Sequence, residues 1–423
     1  MTGPIRLFLV AGETSGDRLG ALLIHRLRER TGGGLEVNGV GGPMMRAAGL
    51  TSLFPMEDLS VMGLTDVLVR LPSLLRRLRE TAEAVERTMP HALITIDSPD
   101  FNLRLAIRAR RRVPGLRIVH YVAPTVWAWR PGRARRMVGV VDHILALLPF
   151  EPAIFRGVGI RCDFVGHPAI QRPDAAALRE AQEDVRARWV RPGEDVGFRN
   201  GAGLTSDDEC GPVVLLPGSR AGEIRRMGPV FEGVVRRIAT GTHQVTWLVL
   251  AAAPVVDEVR NLVREWPGNV VVMEAETGDP EVDALKKHAV FSMAKAAFAT
   301  SGTVVLELAS AGCPMVIGYR AGWLTSAMVR RMATIDSASL VNLLVGRQAI
   351  PEFLFDDCTP ETVAPALTRI LESADERTAQ RAVFKEAMDL MGAGCVDPVG
   401  KAAESVLDFL NNSGCRDHEI VAA

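Results

Sequence analysis

An aspartate that ends an apolar run is well placed to accept a proton, and Ile94-Thr95-Ile96-Asp97-Ser98-Pro99-Asp100-Phe101-Asn102 supplies one. A carboxylate at the C-terminal end of a strand, beside a cleft, suits general-base work on a hydroxyl nucleophile. Asp97, nearest the run, is the better base candidate. Asp100 is the second carboxylate, and the plain alternative is that the pair caps the turn and the following helix. Later in the chain, Val213 to Leu216 read as a short strand that ends in Pro217-Gly218 and delivers Ser219 and Arg220. Thr300-Ser301-Gly302-Thr303 opens the apolar stretch Val304-Val305-Leu306-Glu307-Leu308. A helix N-terminus offers unpaired N–H groups to phosphate, and arginine adds a planar charged fork for the same oxygens. The expectation is a pyrophosphate held between these two segments. Two ordinary capped strand-to-helix turns are the rival.

Two further segments suit a sugar. Gly12-Glu13-Thr14-Ser15-Gly16-Asp17 follows the first apolar run, where a dinucleotide enzyme would carry G-x-G-x-x-G. Here Glu13 and Asp17 make the turn acidic, which repels phosphate and favours hydroxyls; Thr14 or Ser15 could instead cap a helix. Tyr121-Val122-Ala123-Pro124-Thr125-Val126-Trp127-Ala128-Trp129-Arg130 concentrates aromatics in a chain with only two tyrosines and six tryptophans. Aromatic faces together with Arg130 suit a sugar or an acyl chain; a core-packed loop is the plain alternative. No metal constellation, D-x-D, Walker A or G-x-S-x-G is present, so neither metal nor cofactor is expected.

These segments need strands and helices to position them. Apolar runs such as Ile5–Ala11, Ala92–Ile96, Ile118–Ala123, Ile144–Leu147, Val245–Leu250, Val270–Met273, Ala296–Ala299 and Met315–Gly318 alternate with helical patterns. Continuous apolar strands separated by helices imply parallel sheets covered on both faces. At 423 residues the chain exceeds one ordinary core, so two domains are expected. The fold class is α/β, two Rossmann-like domains facing across a cleft. Residues 1–168 form one domain, ending near Gly166-His167-Pro168, and 169–397 the other. Residues 398–423 are a last helix and tail, free to pack on either domain, including back on the N-terminal one. Pro192 to Pro212, with five glycines, reads as a loop.

A net charge of −1 names no partner, but the distribution is uneven. Leu103 to Val141 holds ten arginines and no acidic residue, which favours an anionic surface or ligand nearby. In 61–80, Leu64, Val67, Leu68, Leu71, Leu74, Leu75 and Leu78 make a helical stripe flanked by Arg70, Arg76, Arg77 and Arg79. Such a helix can lie on anionic lipid or simply face a core. Six scattered cysteines suit a reducing compartment, and no secretory signal or membrane span is expected.

Taken together these motifs resemble the lipid-A-disaccharide synthase family. The matching segments are Gly12–Asp17, Gly39-Val40-Gly41-Gly42-Pro43, Asp97–Asn102, Val126–Trp129, Leu148-Pro149-Phe150-Glu151, Val165–Pro168, Leu216–Arg220, Ser301-Gly302-Thr303 with Glu307, and Ser339-Leu340 with Asn342-Leu343-Leu344. They run in order over nearly the whole chain. The 192–212 loop looks like an insertion, and Val341 stands where proline is expected. The resemblance implies a GT-B fold. It also implies an inverting glycosyltransferase joining UDP-2,3-diacylglucosamine to the 6-hydroxyl of 2,3-diacylglucosamine 1-phosphate (lipid X), with UDP leaving. It gives Asp97 the base role and assigns the pyrophosphate to Arg220 with Ser219, Ser301, Gly302 and Thr303. Glu307 would take the ribose hydroxyls, and Asn342, Asp100, Trp127, Glu13, Ser15 and Asp17 join as substrate contacts. The implied partners are both lipids and an anionic inner-membrane surface, met peripherally from the cytoplasm, with no nucleic acid and a homodimer left open. Rivals are a UDP-sugar epimerase, a glycosyltransferase with another lipid acceptor, and a non-enzymatic nucleotide-sugar sensor.

Overall fold

A computed structural model describes residues 3–59, 64–129, 132–189, 211–240, 245–274, 280–322, 337–394 and 397–411. The chain divides into two compact units, Met1–Pro168 with Cys395–Ala423, and Ala169–Gly394. The first is built on β1 (Ile5–Ala11), β2 (Leu35–Val40), β3 (Thr51–Ser52), β4 (Ala92–Ile96), β5 (Arg117–Tyr121), β6 (His143–Ala146) and β7 (Arg161–Phe164). They run in the order β3-β2-β1-β4-β5-β6-β7, and every pairing is parallel. Its helices are α1 (Thr14–Arg30), α2 (Pro43–Ala47), α3 (Leu64–Thr88), α4 (Pro99–Arg112), α5 (Val126–Trp129), α6 (Gly132–Met137) and α7 (Glu151–Arg156).

The central strands β1 and β4 are largely apolar because both faces are covered. Leu7, Leu9 and Ala11 of β1 join one core with Leu23, Ile24 and Leu27 of α1. Phe8 and Val10 point the other way, into a core shared with Leu105, Ala106 and Ala109 of α4. Period two in the strand and the helical stripe of each cover give one layer on each side.

The second unit holds β8 (Val213–Leu216), β9 (Thr246–Ala251), β10 (Asn269–Glu274), β11 (Ala296–Thr300), β12 (Met315–Tyr319) and β13 (Glu352–Leu354), ordered β10-β9-β8-β11-β12-β13 and all parallel. Around them lie α8 (Ala175–Trp189), α9 (Ala221–Ala239), α10 (Val256–Val263), α11 (Pro280–Met293), α12 (Val304–Ser310), α13 (Leu340–Val345), α14 (Pro360–Glu372) and α15 (Ala374–Leu390). The last helix, α16 (Pro398–Asn411), belongs to the first unit and packs on α1. Its Ala402, Ala403, Val406, Phe409 and Leu410 complete that core. Arg117 Nη1 also donates to the Leu410 carbonyl at 2.6 Å.

The arginine-rich helix α3 departs from its sequence reading in part. Leu78 is 3% exposed and faces the core with Ala82 and Val85, whereas Leu75 is 42% exposed. Arg77 does not project toward a ligand: it pairs with Asp58 and Glu80 and lies over the Phe54 ring. The side chains of Leu64, Val67, Leu68 and Arg70 lie outside the described residues. So do Arg130, the Trp129 side chain and the expected loop up to residue 210. The ten arginines of 103–141 are not all unopposed either. Arg110 pairs with Asp142, Arg112 with Glu83 and Glu86, and Arg133 with Asp100, each acid coming from outside the run. Among the described residues no helix is long and apolar enough to cross a membrane. Cys162, Cys313 and Cys358 are free and buried.

Candidate active site

In the first unit the candidate residues gather where neighbouring parallel strands end. The order β1-β4-β5-β6 brings together the turns that follow those four strands. This carboxyl edge is where α/β sheets bind ligands. Gly12, after β1, approaches the turn after β4 so closely that an added Cβ would sit 2.8 Å from Ser98 Oγ. A side chain there would push the two turns apart.

The Asp97 turn is strained. Asp97 and Ser98 both take left-handed backbone, at φ 50° and 41°, and Val122 after β5 sits at φ 75°. Such conformations cost on the order of 1–3 kcal/mol each and persist only where neighbours enforce them. The enforcement is visible. Asp97 N–H donates to the Tyr121 carbonyl at 2.9 Å, and Val122 N–H to Leu145 at 3.0 Å. Buried Asn102 donates from Nδ2 to the carbonyls of Ile96 (3.1 Å) and Asp97 (2.7 Å). The result holds Asp97 half-buried just past the end of β4. Asp100 points outward and pairs with Arg133 at 2.7 Å. It does not cap α4, whose N-cap is Ser98 with no side-chain cap bond.

The acidic turn divides. Glu13 is half-buried and forms the N-cap of α1, while Thr14 and Ser15 are exposed; no side chain caps the helix. Asp17 is only 1% exposed. Its carboxylate accepts the N–H groups of Gly42 (2.8 Å), Met44 (3.0 Å) and Met45 (3.0 Å). It therefore holds the start of α2. Trp127 is half-buried, and its ring meets Phe150 edge-on at 5.2 Å. Its Nε1–H donates to Glu151 Oε1 at 3.2 Å. Glu151 also accepts the Leu148 N–H at 3.0 Å and is 3% exposed. Burial pushes its carboxyl up to about 7, against the pull of those donors.

In the second unit, Gly218 at φ 125° turns the chain after β8 and delivers Ser219 and Arg220, both exposed. Arg220 is the N-cap of α9. Glu223 accepts the Ser219 N–H at 3.0 Å and lies 3.3 Å from Arg220 Nη1. An internal carboxylate thus sits among the donors expected for phosphate. On the neighbouring strand, Ser301 Oγ donates to the Ala338 carbonyl at 3.1 Å. Gly302 and Thr303 are exposed, and a Cβ on Gly302 would meet nothing within 4 Å. Glu307 forms an ion pair with Lys287 of α11. Asn342 is 2% exposed, and its amide closes the loop before β13. Oδ1 accepts from Ala349 and Ile350, and Nδ2 donates to Gln348 and the Ile350 carbonyl. It clamps this loop through all four of those bonds.

Sequence reading missed Glu151, Lys287 and the Asn102 clamp. It also missed a Ser/His/Asp set at α16, where Ser405 Oγ lies 3.2 Å from His143 Nε2 and 2.8 Å from Asp163 Oδ2. The same Nε2 meets Asp163 at 2.9 Å. A nucleophilic triad needs serine and acid on opposite ring nitrogens, so this set ties α16 to β6 and β7. Burial lowers His143 to about 4, keeping it neutral near pH 7. Among the described residues no three His, Cys, Asp or Glu side chains could hold a metal ion.

Two parallel-sheet α/β units, each with its candidate groups at strand ends, make up a GT-B-type fold. Solved structures agree in fold. The S. aureus MnaA-UDP co-structure aligns with a TM-score of 0.58 at 13% identity, over 97% of this chain and 96% of that one. MurG of Acinetobacter baumannii aligns at 0.52 and 12%, over 96% and 99%. The chain matches the lipid-A-disaccharide synthetase family over residues 7–189 and 197–402, and it belongs to that family. The lipid-A-disaccharide synthase of Ruegeria pomeroyi is 45% identical over 407 residues, 96% of each chain. That of Rhodopseudomonas palustris strain HaA2 is 44% identical over 412 residues, 97% of this chain and 98% of its own. The chain is an enzyme of lipid A disaccharide formation.

Proposed function

We propose that the protein transfers the diacylglucosaminyl group of UDP-2,3-diacylglucosamine to the 6-hydroxyl of 2,3-diacylglucosamine 1-phosphate (lipid X), inverting the anomeric carbon and releasing UDP. The observation that carries this reading is Asp97, a half-buried carboxylate on strained backbone that Asn102 clamps at the end of β4. A fixed base there takes the 6-hydroxyl proton as that oxygen attacks, while the bond to UDP breaks on the opposite face. Inversion needs one base and one stabilised leaving group. Arg220 supplies the charge for the departing diphosphate, with Ser219, Ser301 and Thr303 as hydroxyl partners. Glu223 must give up Arg220 and the Ser219 N–H as the diphosphate arrives. Glu307 serves the ribose diol, and its pairing with Lys287 fixes the orientation of that carboxylate.

The lipid substrates favour a peripheral seat on the inner membrane, from the cytoplasmic side. Supporting it are exposed Leu75, Arg76 and Arg79 of α3 and exposed Arg104, Ile107, Arg108 and Arg111 of α4, two helices that pack on each other. Apolar side chains among arginines suit an anionic interface. The test is incubation with UDP-2,3-diacylglucosamine and lipid X, with the disaccharide and UDP read by mass spectrometry. Epimerised UDP-sugar without disaccharide would overturn the reading.

A further inference from the structure

Glu151 is an awkward residue for stability. It sits at the start of α7 with almost no exposure, and burial carries its carboxyl to about 7. A buried carboxylate that finds few donors is commonly no better for folding than an apolar side chain of similar size. What it does instead is join two turns. One oxygen takes the Leu148 N–H from the turn after β6, and the other takes the Trp127 indole N–H from the turn after β5. Phe150, from the same turn as Leu148, presses edge-on against the Trp127 ring. The indole is thus gripped at its nitrogen and on its ring by one neighbouring turn. Since β5 lies beside β4, this ring stands at the same sheet edge as the Asp97 turn.

We propose that Glu151 is a positioning residue that locks the Trp127 indole as a rigid apolar wall for the acylated sugar acceptor beside Asp97. This rests on the function proposed above. A half-buried indole offers a flat face to the ring and acyl carbons of such an acceptor, but only in one rotamer does it stand clear of the attacking hydroxyl. Glu151 fixes that rotamer without touching the substrate.

The experiment is a double-mutant cycle on the full-length enzyme with Glu151→Gln and Trp127→Phe, reading KM for lipid X, KM for the UDP-sugar and kcat. Trp127→Phe keeps an aromatic ring but removes the N–H together with part of the bicyclic indole, so the comparison with Glu151→Gln, which leaves the indole whole, isolates the link. Glutamine keeps the shape but turns an N–H₂ group toward one of the two donors. Losing one charge-assisted hydrogen bond predicts roughly a tenfold rise in the lipid X KM for each variant, with kcat and the UDP-sugar KM little changed. The double variant is expected to be no worse than the poorer single one, because both break the same link. Multiplicative losses in the double variant, or an unchanged lipid X KM in Trp127→Phe, would overturn the proposal. Should Glu151→Gln fail to fold, Trp127→Phe alone decides. Wild-type enzyme that forms no disaccharide sinks the underlying function instead, so the two failures are distinct.

Discussion

Replacing Leu75 and Leu78 by serine, one at a time, separates membrane contact from core packing on a single helix turn. The two lie three residues apart on α3 yet differ in exposure, 42% against 3%. Leu78 packs with Ala82 and Val85 under the sheet. Its removal is expected to cost at least the ~2–5 kcal/mol of a leucine-to-alanine change in a core. Leu75 is already partly covered, and by the proportion of its surface that is buried its serine variant should lose no more than roughly 0.9–1.7 kcal/mol, less than Leu78→Ser. Its exposed part is what a bilayer could still cover. Fully burying a leucine is worth about 1.5–3 kcal/mol, and 42% of that is roughly 0.6–1.3 kcal/mol, a threefold to ninefold change in vesicle affinity. The assay pairs urea unfolding with sedimentation on vesicles containing anionic lipid. Leu75→Ser with wild-type vesicle binding would refute the membrane face. Leu78→Ser with unchanged stability would refute the packing argument beneath it.

Asp97→Asn keeps shape and removes basicity, so disaccharide turnover should fall about 10²–10⁴-fold while UDP-sugar binding, measured by calorimetry, holds. Arg220→Ala should slow the reaction by the roughly 3–4 kcal/mol typical of one oxyanion donor, and Arg220→Lys should recover only part because the fork is lost. With that charge supplied by the protein, EDTA is expected to leave wild-type rates intact; strong inhibition would demand a metal. Glu151 gives a pH signature. Its carboxyl moves from 4.5 to about 7 in the fold, so the folded state holds a proton that the unfolded chain has released. Wild type should therefore lose about 3 kcal/mol relative to Glu151→Gln between pH 4.5 and 7, and parallel stability profiles would contradict that burial.

The strands that carry the site were legible because they are apolar on both faces; β4 and β8 are buried along their whole length. Less visible were β2, where Glu36 and Asn38 interrupt the run, and the short β7 and β13, whose residues are mostly half-buried. Among the site residues, Asp17 was read as a ligand for hydroxyls because it is acidic and close to a strand end. Its helical position accounts for its burial: Asp17, Gly20, Ile24 and Leu27 recur on the buried stripe of α1. Asn342 likewise follows buried Val341 on α13. Glu151 stood in a segment of the family resemblance but carried no assigned role. Its chemistry arises only when β5 and β6 pair and bring Trp127 to it, a contact between segments that no local pattern encodes. Lys287 reaches Glu307 from the preceding helix in the same non-local way.

Strain adds a signal that composition lacks. Among the described residues five non-glycine positions have left-handed backbone, and four of them stand directly after parallel strands. These are Asp97 and Ser98 after β4, Val122 after β5 and Phe355 after β13. Valine is poorly suited to such a conformation, because its branched Cβ crowds the backbone. The fold tolerates it there because the Val122 N–H is held by Leu145, on the next strand. The same arrangement recurs at Asp97, held by Tyr121 and by Asn102. Each turn is fixed by its neighbour in the sheet, so the order β4-β5-β6 itself determines where the Asp97 carboxylate and the Trp127 ring stand. A loop free to relax would adopt ordinary backbone angles and move that carboxylate, and an attack geometry is lost with displacements of about 1 Å. The strained turns at this edge fit the fixed base that the proposed reaction requires of Asp97.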